Sequence, residues 1–299
     1  MRWLPRSEVL TYEEIARVAG VCVERFGFEA IRLTGGEPLV RSHVTRLVRL
    51  LAPLDVDLAL TTNGAKLPEL AHDLAAAGLR RINISLDSLR RERFFALTKR
   101  DDLERVLAGI AAALDAGLEP VKVNAVVMRG VNDDEVVDLA RFGRDHGVGV
   151  RFIEFMPLDA QGEWAADKVV SAHEIIERVN AVFPLERAGH DGNAEPAARY
   201  VFRDGIGDIG VIPSVTEPFC GDCDRVRITA EGQFRTCLFA LEETDLRAVL
   251  RAGRGLDEPD LDDRLAAAMT GAVATKWAGH RIGQEDFIRP NRSMSQIGG

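Results

Sequence analysis

Short apolar runs, many of them β-branched, recur between Ala30 and Phe155: Ala30 to Thr34, Val56 to Thr62, Arg81 to Leu86, Val121 to Val127, and Val148 to Phe155. Between them, apolar residues return every three or four positions, as at Leu103, Val106, Leu107, Ile110 and Leu114, a pattern that predicts a helix closed by Gly117. Strands separated by one helix apiece predict parallel βαβ units, in a barrel or a wound sheet. Both architectures bind ligands at the C-terminal ends of their strands. The residues following each strand are therefore the ones to read. They are Thr34-Gly35-Gly36-Glu37-Pro38, Thr61-Thr62-Asn63-Gly64, Ser85-Leu86-Asp87-Ser88, the stretch after Lys122-Val123-Asn124, and Glu154-Phe155-Met156-Pro157. Any one of them alone reads as a turn, but five in phase point to a site.

After Pro157 the alternation stops. Residues 186–199 read as a surface connection, and Tyr200 to Arg203 and Gly210 to Ile212 as short strands about a Gly-rich turn. An amphipathic helix is expected from Leu261 to Trp277, and the acidic run Asp257 to Asp263 suits its solvated first turn. The composition is that of a globular protein, with 46% hydrophobic and 28% charged residues. Lys plus Arg is 38 and Asp plus Glu is 47, a net charge of −9, which argues against nucleic acid as a partner. No apolar run approaches the ~18 residues of a membrane span and no leader is visible, so the expectation is cytoplasmic with no membrane association.

The strongest chemical signal is Cys220-Gly-Asp-Cys223 followed by Cys237, a C-x2-C-x13-C arrangement. Three such thiolates suit zinc or an iron–sulfur cluster. A structural zinc site wants a fourth Cys or His, and none lies between residues 200 and 260, which favours the cluster. Cys22 sits in the helical pattern Ile15, Val18, Ala19, Cys22, Phe26 and reads as core. Arg225 and Arg227 follow Cys223, and Arg235 precedes Cys237; alternating arginines on a strand share a face and suit a phosphate or a purine edge. Gly205-Ile-Gly207-Asp-Ile-Gly210 matches the dinucleotide fingerprint, but Val211-Ile212-Pro213 cannot open the required helix, so it reads as a hairpin turn. His43, His72, His146 and His173 fall in helical or connecting stretches and read as surface residues.

Taken together, Gly35-Gly36-Glu37-Pro38, Thr61-Thr62-Asn63-Gly64, Ser85-Leu86-Asp87, Val121-Lys122-Val123-Asn124, Arg151-Phe152-Ile153-Glu154-Phe155-Met156, the three cysteines, Arg225-x-Arg227 and the terminal Gly298-Gly299 resemble the radical S-adenosylmethionine (SAM) GTP 3′,8-cyclases of molybdenum cofactor biosynthesis. The likeness runs from about Leu4 to Gly299. It implies an α/β fold: a partial (βα) barrel of the TIM type, (βα)6 in the family, at residues 1–160, and a C-terminal α+β domain at 161–299 with an auxiliary 4Fe-4S cluster and a GTP site. In such enzymes a cluster-bound SAM yields a radical that removes hydrogen from C3′ of GTP, and C3′ then bonds to C8. The product, 3′,8-cyclo-7,8-dihydro-GTP, passes to cyclic pyranopterin monophosphate synthase, and the family allows a homodimer.

By the same likeness, Gly36, Ser85 and Met156 would contact SAM, while Arg32, Thr61, Lys122, Arg225 and Arg227 would contact GTP. Arg151 would lie near the reacting centre, Gly298 and Gly299 would insert toward it, and Cys220, Cys223 and Cys237 would hold the auxiliary cluster. One departure stands out: the family's Cys-x3-Cys-x2-Cys, which holds the SAM-binding 4Fe-4S cluster, is not in this sequence, nor is the first barrel strand. The expectation is that the chain as written does not carry out the reaction, that the second cluster belongs to a longer parent, and that Ala30 to Thr34 forms an open sheet edge. The competing readings are another radical SAM enzyme with an auxiliary cluster, such as a peptide maturase, and a non-catalytic three-cysteine metal-binding module.

Overall fold

The computed structural model describes residues 5–160, 162–188, 196–253, 255–276 and 279–298. The chain opens with helix α1 (Tyr12–Phe26), started by a capping box in which Thr11 Oγ1 accepts from the Glu14 N–H and Glu14 from the Thr11 N–H. There follow β1 (Ala30–Leu33), α2 (Val44–Leu51), β2 (Asp57–Thr62), α3 (Leu67–Ala76), β3 (Arg81–Ser85), α4 (Arg91–Thr98), α5 (Leu103–Asp115), β4 (Val121–Val127), α6 (Val136–His146), β5 (Gly149–Glu154) and α7 (Ala172–Asn180). The remainder comprises β6 (Leu185–Arg187), β7 (Ala198–Phe202), β8 (Asp208–Ile212), β9 (Arg227–Ile228), β10 (Gln233–Arg235), β11 (Thr244–Asp245), α8 (Leu246–Arg251), α9 (Leu261–Ala274) and the single turn α10 (Met294–Ile297).

The first five strands are parallel and adjacent in chain order, as the alternation predicts. Two helices, not one, join β3 to β4. The sheet also runs on past residue 160: β8 pairs in parallel with β5, and β7 and β6 add antiparallel beyond it, for the order β1-β2-β3-β4-β5-β8-β7-β6. The Gly205 to Gly210 turn joins antiparallel β7 and β8, the hairpin that the sequence predicts. Of residues 186–199, read from the sequence as a surface connection, Glu186 and Arg187 belong to β6 and Ala198 and Arg199 to β7; residues 189–195 lie outside those described. β1 stands at the sheet's edge with Ala30 and Arg32 exposed. A separate sheet, β11-β10-β9, lies in the C-terminal part. Among the described residues no helix is long and apolar enough to cross a membrane.

Three apolar clusters hold the fold together. The largest lies between the parallel strands and α2 to α7, with Leu60, Ile82, Ile84, Val123, Val150 and Phe152 almost fully buried. The second joins α1 to the far end of the chain: Val18, Val21 and Cys22 pack with Phe234, Leu246, Leu261, Leu265 and Met269. The acidic run therefore does more than face solvent, since Asp262 and Asp263 each meet an arginine of α1, Arg17 and Arg25, at 2.7 Å. The third is small, with Leu158, Phe239 and Ile297 at its centre and Met156 and Cys237 against it.

Candidate active site at the strand ends

Each turn after a parallel strand is fixed by its neighbour. Glu37 caps the short turn that it opens, accepting from the Leu39 N–H at 2.9 Å, and reaches across to Thr62 Oγ1 and the Asn63 N–H, both at 2.7 Å. One carboxylate thus locks the Gly-rich turn after β1 to the Thr-Thr-Asn turn after β2. Thr61 is buried, with its hydroxyl accepting from Asn83 Nδ2 at 3.4 Å, and Ser85 is exposed at the end of β3. Next to Ser85, burial pushes the Asp87 carboxyl up to about 6 against the opposing hydrogen bond from the Val126 N–H. At the end of β5, the fully buried Glu154 accepts from the N–H groups of Ala172, Val215 and Thr216 and from Thr216 Oγ1, over 2.5–2.9 Å.

The C-terminal tail crosses these strand ends. The Met294 N–H donates to the Leu158 carbonyl at 2.9 Å, and Ser295 O lies 3.6 Å from where a Cβ on Gly36 would stand. Gly298 packs against Thr34 so closely that a Cβ would fall 2.6 Å from its Cγ2. Arg227 Nη1 donates to the Gly298 carbonyl at 2.9 Å and binds the tail to the C-terminal part. Gly299 lies outside the described residues.

Arg227 gathers the predicted basic residues. Burial brings its guanidinium down to about 10, helped by the positive charges of Arg225 and Arg32, while Cys223 and Cys237 act in the opposite sense. Four predicted site residues, besides Arg227 itself, therefore lie within electrostatic reach of it. Arg225 precedes β9, where an alternation along one strand was expected, and its guanidinium lies 5.0 Å from the Phe219 ring centroid. Burial opposes ionisation of the Cys223 thiol, but the Arg225 hydrogen bonds and the Arg225 and Lys276 charges hold it below the ordinary thiol range. A desolvated guanidinium with other cations nearby attracts anionic ligands and stabilises thiolates.

The three thiols are free and half-buried. Among the described residues no three His, Cys, Asp or Glu side chains close in on a single ion position. A mononuclear zinc needs all its sulfurs at ~2.3 Å from one point, whereas in a cluster each thiolate binds its own iron. Gly279 lies against Cys220 where a Cβ would fall 2.9 Å from the Cys220 Cβ, and Arg235, buried two residues before Cys237, keeps an Nε–H without a partner. Three thiols on two segments are donors of the type that an iron–sulfur cluster takes. None of the four cysteines lies in a Cys-x3-Cys-x2-Cys motif. Cys22, the remaining cysteine, touches Met269 Sδ at 4.0 Å in the second core, and burial pushes its thiol up to about 11.

Arg151 does not join this group. Its Nη1 donates to Asp208 at 2.9 Å, and the side chain lies along Gly149 and Gly210, near the starting ends of β5 and β8. The family likeness put it near the reacting centre, but the Asp208 carboxylate at the opposite end of the strands holds the guanidinium. Sequence reading missed Lys276, whose Nζ donates to the Cys223 carbonyl at 2.7 Å, and His280 as site-building residues, and it found Glu154 only as part of a strand-end motif, without its donors. Their partners lie tens of residues away, so no local pattern marks them.

A family model described as Radical SAM superfamily matches residues 2–143, and one described as Molybdenum Cofactor Synthesis C matches residues 148–282. The GTP 3′,8-cyclase of Rhodopirellula baltica is 45% identical over 99% of this chain and 82% of its own length. That of Streptomyces coelicolor is 46% identical over 100% of this chain and 87% of its own. The crystal structure of Streptococcus suis SuiB bound to S-adenosylmethionine shares the fold at a TM-score of 0.51 and 16% identity, over 60% of this chain and 41% of that one.

Proposed function

The chain belongs to the GTP 3′,8-cyclase family of radical SAM enzymes, and on that premise we propose that GTP binds between the ends of the parallel strands and the three-cysteine segment. The observation that carries this reading is Arg227, a desolvated cation placed among Arg225, Arg32, Cys223 and Cys237 and tied to the Gly298 carbonyl. Arg32, Thr61, Lys122, Arg225 and Arg227 supply the cations and hydroxyl that a triphosphate and a purine edge call for. Gly36 and Ser85, exposed at their strand ends, and Met156 offer the SAM contacts. Cys220, Cys223 and Cys237 hold a 4Fe-4S cluster through three irons, leaving the fourth open to a ligand.

In a chain that also carries the Cys-x3-Cys-x2-Cys, SAM on that cluster would supply the radical that starts the cyclisation. The chain's own residues bind, orient and enclose. Glu37 and Glu154 keep the strand-end turns at fixed spacing, which holds reacting atoms in register. The tail lies across the strand ends, and Arg227 holds it through a hydrogen bond that a bound anion would share. Function divides near residue 160, with SAM-facing turns of a partial barrel before it and the cluster after it. The protein works in the cytoplasm and passes its product to a cyclic pyranopterin monophosphate synthase.

GTP titration by calorimetry tests the site. Loss of one charge-assisted contact in Arg225→Ala is expected to weaken GTP binding about tenfold to a hundredfold. Equal affinity in wild type and Arg225→Ala would remove the arginine pair from the GTP site.

A further inference from the structure

Three stretches distant in sequence meet at His280. Its Nε2 lies 2.8 Å from the Ser214 carbonyl oxygen, and its Nδ1 lies 3.3 Å from the Ile282 N–H. A carbonyl only accepts and an amide N–H only donates, so the ring is the neutral Nε2–H tautomer with both nitrogens engaged. Its ring centroid is 5.0 Å from that of Phe239, whose own N–H points at Cys237 Sγ, 3.4 Å away. The residue before it, Gly279, is pressed against Cys220, with 3.3 Å from a Cβ position to the sulfur. Ser214 in turn precedes Val215 and Thr216, which Glu154 holds at the end of β5. A continuous line of contacts therefore runs from the parallel sheet through one imidazole to two of the three cysteine segments.

We propose that His280 is a positioning residue for the three-cysteine site, fixing the spacing of Cys220 and Cys237 through its Nε2–H bond to the Ser214 carbonyl. The inference rests on the reading of that site as an iron–sulfur site. Thiolates carried on separate segments stay on their irons only as long as those segments hold still. Hydrogen bonds just outside a ligand set commonly govern retention about tenfold to a hundredfold.

The test compares the full chain as wild type, His280→Gln, His280→Leu and His280→Asn after anaerobic reconstitution. Iron release to a ferrous chelator is timed, and the EPR g-values of the reduced proteins are recorded. Glutamine puts an amide N–H where Nε2–H stands. Leucine fills the volume beside Phe239 without a donor, and asparagine is polar but too short. His280→Leu and His280→Asn are expected to release iron about tenfold faster with shifted g-values, and His280→Gln to stay near wild type. Release at the wild-type rate in all three variants overturns the inference, as does equally fast release in all three, because a general packing defect would not spare glutamine. Should leucine prevent folding, asparagine against glutamine decides alone. A wild type that takes up no iron at Cys220, Cys223 and Cys237 overturns the reading of the site itself, a result distinguishable from loss in the variants.

Discussion

At Gly298 the backbone takes φ 85°, and a methyl group would meet Thr34 Cγ2 at 2.6 Å. Both facts oppose any side chain: the left-handed conformation alone costs an L-residue about 1–2 kcal/mol. Gly298→Ala is therefore expected to loosen the tail and leave the rest of the fold intact. Hydrogen exchange at Met294, whose N–H is held by Leu158, should quicken about fivefold to thirtyfold, while amides of β4 keep their protection. Unchanged exchange at Met294 would mean that Gly298 does not anchor the tail. At this scale the sequence supplies candidates but not partners. Arg227 stands out beside Cys223, yet the carbonyl it holds lies 71 residues on. Glu154 belongs to a recognisable strand-end motif, but its donors are 18, 61 and 62 residues away, brought in by two different connections.

Strands of the parallel sheet were the easiest elements to read. Each of β2 to β5 buries apolar residues under the helices, alternating with polar ones in β3 and β4, and their bounds differ from the sequence expectation by a residue or so. Short elements made by tertiary pairing were not legible: β6 and β9 have three and two residues, and α4 carries Arg-Glu-Arg at its start with only Phe94 buried. The helix caps are a middle case. Thr11-x-x-Glu14 is a local signal for the start of α1, but Glu14 also takes two hydrogen bonds from Arg251 of α8, at 2.7 and 2.9 Å. The Arg251 hydrogen bonds, more than the opposing burial, hold the Glu14 carboxyl below its ordinary 4.5. A depressed folded value stabilises the protein fully above about pH 4.5, and that contribution is lost as pH falls through the folded value. Urea midpoints measured from about pH 6 down to about pH 3 should decline less steeply in Glu14→Gln than in wild type. Parallel declines would show that the α1–α8 ion pair carries none of the acid sensitivity.

For the molecule as a whole, the sequence divides at Pro157, and the structure bridges that division twice. β8 extends the parallel sheet from the C-terminal side, and α1, at the front of the chain, packs on α8 and α9 near its end. Nothing in the apolar spacing of α1 distinguishes a face turned to the sheet from one turned to a distant helix, which is why this packing could not be read. Leu265, fully buried in that second core, should destabilise by about 2–5 kcal/mol as Leu265→Ala. Near- and far-ultraviolet circular dichroism should report one shared unfolding transition in wild type; separate transitions would mean that the second core is not coupled to the first. The same packing sets a schedule for the growing polypeptide. Cys22 and Met269 are 247 positions apart, so at ribosomal rates of roughly 5–20 residues per second the apolar face of α1 waits on the order of 10–50 seconds for its partner. Through that interval α1 is nascent sticky surface, the kind of segment that cellular chaperones hold until the last helices emerge.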